Sequence, residues 1–197
     1  MASRKASKER THQKLVDATL KVLYRDGRSA LTTGRIAEAA GVAQPTFYVH
    51  FSDMEDALTQ AADAVAQKLL QRLKVYRAEL SVGAPFDLVR GAYAASVKAL
   101  LREPKMAELF LRHRRDAGSP LGKRWSEITD RARADLEADM KKWGLGTTID
   151  VHFYAELIVG MTLATVEGLI DGRIADTDAA LDALAKFTMG GFEKALK

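Results

Sequence analysis

Thr33-Gly34-Arg35-Ile36-Ala37-Glu38-Ala39-Ala40-Gly41-Val42-Ala43-Gln44-Pro45-Thr46-Phe47-Tyr48-Val49-His50-Phe51 is the stretch on which the fold turns. It reads as a helix, a glycine turn and a second short helix. Thr32 or Thr33 can cap the first helix, Ile36, Ala37 and Ala40 supply its apolar face, and Gly41 stops it. Pro45 fits the second helix because the first turn has no partner for the N–H that proline lacks. Two helices joined at a steep angle through a glycine turn make a helix-turn-helix. On a helical projection of the second helix, Phe47 and Phe51 share one face and Pro45, Thr46 and Val49 point the opposite way, with Gln44, Tyr48 and His50 at the borders. One face anchors, and Ile36, Phe47 and Phe51 are core candidates. The other face suits DNA: Gln bonds a base edge through two atoms, Thr and Val methyls meet a thymine methyl, and Tyr and His donate to phosphates. None of these side chains is a strong cation, so positive charge must come from Arg35, the N-terminal arm and the helix N-termini.

The charge distribution agrees. Of 30 Lys and Arg, nine lie in residues 1–52 against four acids, whereas the other 145 residues balance to −1. A basic first quarter beside a neutral remainder gains by displacing counterions from a polyanion. The alternative is a solvated charged tail.

Further outward, every segment predicts a helix. Leu15, Ala18, Val22 and Leu23 share a face and Gly27 follows, which predicts a helix over 8–26. Ser52-Asp53-Met54-Glu55 reads as a capping box, opening a long helix in which Leu58, Ala61, Val65, Leu69, Leu73 and Tyr76 keep a 3-to-4 spacing up to Gly83-Ala84-Pro85. Five more segments follow: 86–102, 104–115, 120–143 capped by Ser119, 148–171 with Thr147-Thr148-Ile149-Asp150 as a second capping box, and 176–196. The β-branched and aromatic residues do not alternate along short runs, so nothing predicts a sheet. The fold class is all-α with about nine helices: a three-helix helix-turn-helix domain over 1–52 and a larger helical bundle over 53–197. With 197 residues, 47% of them hydrophobic, the chain can bury a real core.

The absence of cysteine excludes disulfides, thiolate metal sites and a cysteine nucleophile. The basic, polar start lacks the apolar core of a signal peptide. The most apolar run, 157–166, is far shorter than the ~20 residues that span a bilayer, so no membrane partner is expected and the cytoplasm is the default location. Enzyme chemistry finds little support. His12, His50, His113 and His152 form no HExxH pair, His152 and Glu156 share a helical face without further ligands, and no phosphate-cradling glycine loop occurs. No metal and no cofactor are expected.

From residue 31 to residue 58 the chain resembles the DNA-binding region of the tetracycline-repressor family. The resemblance rests on Gly41-Val42-Ala43-Gln44-Pro45-Thr46-Phe47-Tyr48-Val49-His50 and on Phe47-Tyr48-Val49-His50-Phe51, an apolar residue followed by Tyr, any residue, His and Phe. It implies that Gln44, Pro45, Thr46 and Val49 approach bases and that Thr33, Tyr48 and His50 hold phosphates of a double-stranded operator. Two positions depart from the pattern. Gly34 stands where the family's namesake has a groove-reading arginine, with Arg35 only adjacent, and Met54 replaces the lysine that usually opens the fourth helix. Affinity then leans more on Arg4, Lys5, Lys8 and Arg10.

The resemblance also implies an effector pocket in the middle helices and a homodimer formed by the last two. Pocket candidates are Tyr93, Leu100, Met106, Phe110, Trp125, Ile128, Phe153, Met161 and Thr165, each of which could equally be packed core; together they suit an apolar or amphipathic small molecule. Arg112-His113-Arg114-Arg115 follows an apolar helix. The cluster, Arg114 in particular, could bind the acidic end of a fatty acyl thioester, in line with a weaker resemblance of 109–120 to members controlling fatty-acid metabolism, or it could be a solvated helix end. For the dimer, Leu157, Gly160, Ala164 and Gly168 on one helix and Leu181, Leu184, Thr188, Gly191 and Phe192 on the next carry more apolar surface than one face needs; each face could instead be internal core. The function expected is a ligand-responsive repressor released from its operator by the effector. The rival is a DNA-binding protein of the same fold whose C-terminal domain takes a protein partner.

Overall fold

A computed structural model describes residues 2–78 and 85–195, with side chains at all of them except 2–4, 73, 74, 76–78, 85, 145 and 193–195. The expected stop at Gly83 and Ala84, the helix-face placements of Leu73 and Tyr76, and the side chain of Arg4 lie outside the described residues, as does Leu196. Among the described residues the chain is all-α, with nine helices and no strand: α1 Ala2–Asp26, α2 Thr33–Ala40, α3 Gln44–His50, α4 Met54–Ala78, α5 Pro85–Leu101, α6 Pro104–His113, α7 Pro120–Lys142, α8 Val151–Ile170 and α9 Thr177–Ala195. They fall into two compact units. The first takes residues up to Gln67 together with His113–Arg124, and the second takes Lys68–Arg112 and the chain from Trp125 onward.

In the first unit α1 packs on α2 and α2 on α3. Leu15, Val16, Leu23, Ile36, Phe47, Phe51 and Leu58 are each at most 2% exposed, and the Phe47 and Phe51 rings lie 5.2 Å apart. Removing either ring costs about 3–5 kcal/mol, so α3, only seven residues long, is held by burial and not by its own helix propensity. Thr32 caps α2 by accepting from the Arg35 N–H at 3.2 Å, and Gly41 closes it in the left-handed conformation at φ 69°.

Two capping expectations are corrected. α4 is capped by Asp53, which accepts from the Asp56 N–H at 2.8 Å, while the Asp56 carboxylate reaches back to the Ser52 N–H at 2.9 Å. The cap lies one residue later than expected and its return bond goes to the amide before it, while Glu55 is paired with Arg28 at 2.9 Å. At α8 the cap is Asp150 alone, accepting from the Phe153 N–H at 3.1 Å; Thr147 sits in a preceding 3-10 turn. Ser119 does cap α7: its hydroxyl oxygen accepts from the Gly122 N–H at 3.0 Å and donates to the Asp116 carbonyl at 3.2 Å. Here Gly122 is obligatory, since a Cβ would lie 2.0 Å from the Asp116 carbonyl oxygen. Arg124 then pairs with Asp63 of α4.

In the second unit α5 lies against α8 and α9, and α8 against α9. Val97, Leu109, Phe110, Met140, Val166 and Leu181 are among the most buried side chains. Arg90 of α5 bridges to Asp178 and Asp182 of α9, at 2.9 and 2.5 Å. The apolar run 157–166 is well short of a membrane span, whereas α8 as a whole, 20 residues long with a mean hydropathy of 1.5 over an 18-residue window, is long and apolar enough to cross one. Its apolar surplus has a definite location: Phe153, Leu157, Gly160 and Ala164 form an exposed stripe opposite buried Ala155, Val159, Thr162 and Val166.

Candidate nucleic-acid interface

Burial divides α3 sharply. Phe47 is 0% exposed, whereas Tyr48 is 57% and Val49 63% exposed; Gln44 and Pro45 are also exposed and Thr46 is half-buried. Six side chains therefore sit on one outward surface: Gln44, Pro45, Thr46, Tyr48, Val49 and, at its edge, half-buried His50. The exposed Val49 side chain offers methyl groups that can meet the thymine methyls of a DNA groove.

A hydroxyl on α2 ties this surface together. Gln44 Nε2 donates to Thr33 Oγ1 at 2.9 Å, and Thr33 Oγ1 lies 3.3 Å from the Tyr48 hydroxyl. Thr33, expected to be a phosphate contact, is thus already engaged by two residues expected to read or hold DNA. Periodicity along either helix alone carries no sign of this link, because it crosses the turn between them.

Arg35 is exposed but paired with Asp26 at 3.1 Å, and the Arg25 guanidinium also bonds Asp26, at 2.8 Å, holding its carboxyl below the usual carboxylate range. Lys5, Lys8 and Arg10 on α1 are exposed. The His50 ring lies 5.7 Å from His12, and His12 is 5.1 Å from Phe51. Burial, followed by the positive fields of His12 and Lys8, lowers the pKa of His50 below the ordinary histidine value. His50 therefore presents a neutral ring at pH 7. Asp56, lowered mainly by its bond from Gln60, completes the surroundings of His12.

The candidate ligand residues are dispersed. Tyr93, Phe110, Trp125, Ile128 and Thr165 are buried in the second unit, with Leu100 at 9% exposure. The Phe110 and Trp125 rings lie 5.5 Å apart, tilted at 31°. The Tyr93 hydroxyl meets Thr188 Oγ1 at 2.7 Å, and burial raises the tyrosine pKa. Met106 and Met161 are half-buried. Arg114 is half-buried in the first unit. Phe153 corrects the expectation of an inward wall residue, since it is 56% exposed on the outward stripe of α8.

The dimer candidates also need correction. Leu157 at 40% exposure, Gly160 and Ala164 face outward, but Leu181, Leu184, Thr188 and Phe192 are each at most 9% exposed and already covered within the chain. Gly168 is buried with Ile174 against it, and Gly191 faces Tyr154. The period of 3.6 identified an apolar face of α9 but not what covers it. The large apolar side chain that α9 turns outward is Phe187, at 69% exposure.

A groove of about 380 Å³ between α7 and α8 is lined by Arg133, Glu137, Lys141, His152 and Glu156 among others. His152 bonds Glu137 at 2.9 Å, which raises the histidine pKa. Among the described residues no group of three or more His, Cys, Asp or Glu is placed to hold a metal ion.

Residues 15–61 match the model for bacterial regulatory proteins of the tetR family. A segment of 81 residues is 33% identical to an uncharacterized HTH-type transcriptional regulator of Haemophilus influenzae; it spans 41% of this chain and 40% of that protein's length. The fold is that of the fatty acid degradation regulator FadR from Bacillus halodurans, with a TM-score of 0.73 at 20% identity over 92% of this chain and 95% of the other. It also matches FadR from Bacillus subtilis in complex with stearoyl-CoA, with a TM-score of 0.70 at 18% identity over 89% of this chain and 96% of the other.

Proposed function

We propose, from the match of residues 15–61 to the model for bacterial regulatory proteins of the tetR family, that the chain is a ligand-responsive transcriptional repressor acting as a homodimer on operator DNA in the cytoplasm. The observation that carries this reading is α3: two phenylalanines anchor it, and Gln44, Thr46, Tyr48 and Val49 are turned outward on a protein whose first quarter is basic. That surface presents bidentate, methyl and hydroxyl groups, the chemistry that reads base edges and holds phosphates. Two such heads meet half-sites one helical turn apart, ~34–36 Å, which requires two copies of the chain. The exposed stripe of α8, joined by Phe187 of α9, is the surface proposed to pair them.

The effector proposed is an apolar or amphipathic small molecule held among the buried aromatic and aliphatic side chains of the second unit. The stearoyl-CoA complex of the Bacillus subtilis neighbour supports a fatty acyl thioester as the first class to test. Helix α4 supplies residues to both units, so a change of its pivot on ligand binding would alter the separation of the two heads. Linkage then demands that effector and operator weaken each other's binding by the same factor.

Enrichment of random duplexes with the purified protein tests the central claim. A two-fold-symmetric motif with half-sites about 10 base pairs apart is expected. Failure to enrich any sequence at low salt refutes it. Stearoyl-CoA at a hundredfold excess over its Kd should add about 2.7 kcal/mol of stability, a melting shift of roughly 5–10 °C for a chain of this length. No shift removes the acyl thioester and leaves the DNA reading standing.

A further inference from the structure

We propose that Thr33 is a positioning residue for base recognition: its hydroxyl holds the Gln44 amide in one orientation, so that a single base position is read by the pair. The inference rests on the DNA-binding reading above and names the residue that sets its specificity at that point.

Thr33 is free for the task because Thr32, not Thr33, caps α2 through the Arg35 N–H. Its oxygen accepts from Gln44 Nε2 at 2.9 Å, and its own proton is then available to the Tyr48 oxygen at 3.3 Å. Gly34 provides the seat. A Cβ at that position would lie 3.8 Å from Gln44 Cδ and Oε1, so the amide rests over the glycine at van der Waals distance. A long side chain at Gly34 would compete for that space, whereas the glycine leaves it to Gln44.

The chemistry that remains outward is specific. One of the two Nε2 protons is consumed by Thr33, leaving Oε1 as acceptor and the other N–H as donor. A donor beside an acceptor is what an adenine presents in the major groove, at N6 and N7, and no other base presents that pair. A free glutamine would have to order its rotamers on binding and could turn its amide either way; Thr33 removes both costs in advance. A good bidentate contact discriminates against the wrong base by about 5- to 150-fold.

The test compares the full-length protein with Thr33→Val, Thr33→Ser and Gln44→Ala, using duplexes that carry each base in turn at every position of the motif enriched by the parent protein. Melting temperature serves as the folding control, and Thr33→Val should hold it because the cap is untouched. The expected result is that Gln44→Ala and Thr33→Val lose preference for adenine at the same single position, from tenfold or more to about twofold or less. Thr33→Ser, which keeps the hydroxyl, should retain it. If Thr33→Val instead weakens all duplexes equally with the preference intact, Thr33 is a phosphate contact and the proposal is wrong. If the parent protein enriches no motif, the DNA-binding reading fails, and this inference fails with it.

Discussion

Replacing Gly122 by alanine should damage the first unit far more than a methyl group on a helix normally would. The added Cβ would lie 2.0 Å from the Asp116 carbonyl oxygen, 2.7 Å from its carbon and 2.9 Å from the His113 carbonyl oxygen. All three are backbone atoms, so no side-chain rotation relieves them. Restoring an ordinary contact means opening the turn by more than 1 Å, and overpacking on this scale costs about 3 kcal/mol. The same movement breaks the bonds that close the turn, from the Ser119 N–H to the Asp116 carbonyl at 3.0 Å and from the Gly122 N–H to Ser119 Oγ at 3.0 Å, each worth about 1 kcal/mol. Alanine returns somewhat under 1 kcal/mol through its better helix propensity. The net loss is about 4 kcal/mol, or roughly 8–16 °C in Tm for a chain of this length. Differential scanning calorimetry reads it directly. Gly190→Ala on α9, where nothing lies within 4 Å of the new Cβ, is the matched control and should leave Tm unchanged or slightly raised. A Gly122→Ala protein melting within 2 °C of the parent would refute the argument that residues 113–124 are held by this close approach.

Three more outcomes follow from other parts of the molecule. Phe47→Ala should cost about 3–5 kcal/mol and release α3, seen as a lowered urea midpoint with loss of DNA binding; an unchanged midpoint would mean that the ring anchors nothing. Leu157→Arg, on the exposed stripe of α8, should leave the melting of the chain near that of the parent at low concentration but convert a dimer to a monomer in sedimentation, and a persistent dimer would place the interface elsewhere. The free His50 ring, its pKa lowered by burial, is neutral at pH 7, whereas a phosphate beside it favours the imidazolium, so DNA binding takes up a proton. Operator affinity should therefore rise as pH falls from 7.5 towards 6, in titrations at fixed salt, and His50→Gln should flatten the profile. The same lowered pKa makes the folded state bind fewer protons than the unfolded one, so this residue's contribution to stability declines as pH drops below about 6.5.

The all-α class, the helix-turn-helix and the division of α3 into an anchoring and an outward face were legible in the sequence. Each depends on interactions between residues three or four positions apart: Phe47 with Phe51, the Gly41 stop, and the proline allowed in a first turn. Local spacing encodes such features because the helix itself brings those residues together. It did not encode which residues cap α4, where Glu55 is paired with Arg28, 27 residues away, and the cap is formed by Asp53 and Asp56.

What required the tertiary structure was the covering of each apolar face. α8 and α9 both carry more apolar surface than one contact needs, yet Leu181, Leu184, Thr188 and Phe192 are buried within the chain while Phe153, Leu157 and Phe187 are left outside. The link from Thr33 to Gln44 and Tyr48 was hidden for the same reason, since it joins two helices through a turn whose geometry no period specifies. Sequence determines which residues are apolar and how they repeat along a helix; only the packing of helices distant in the chain decides which of those faces meets protein and which is left open to a partner.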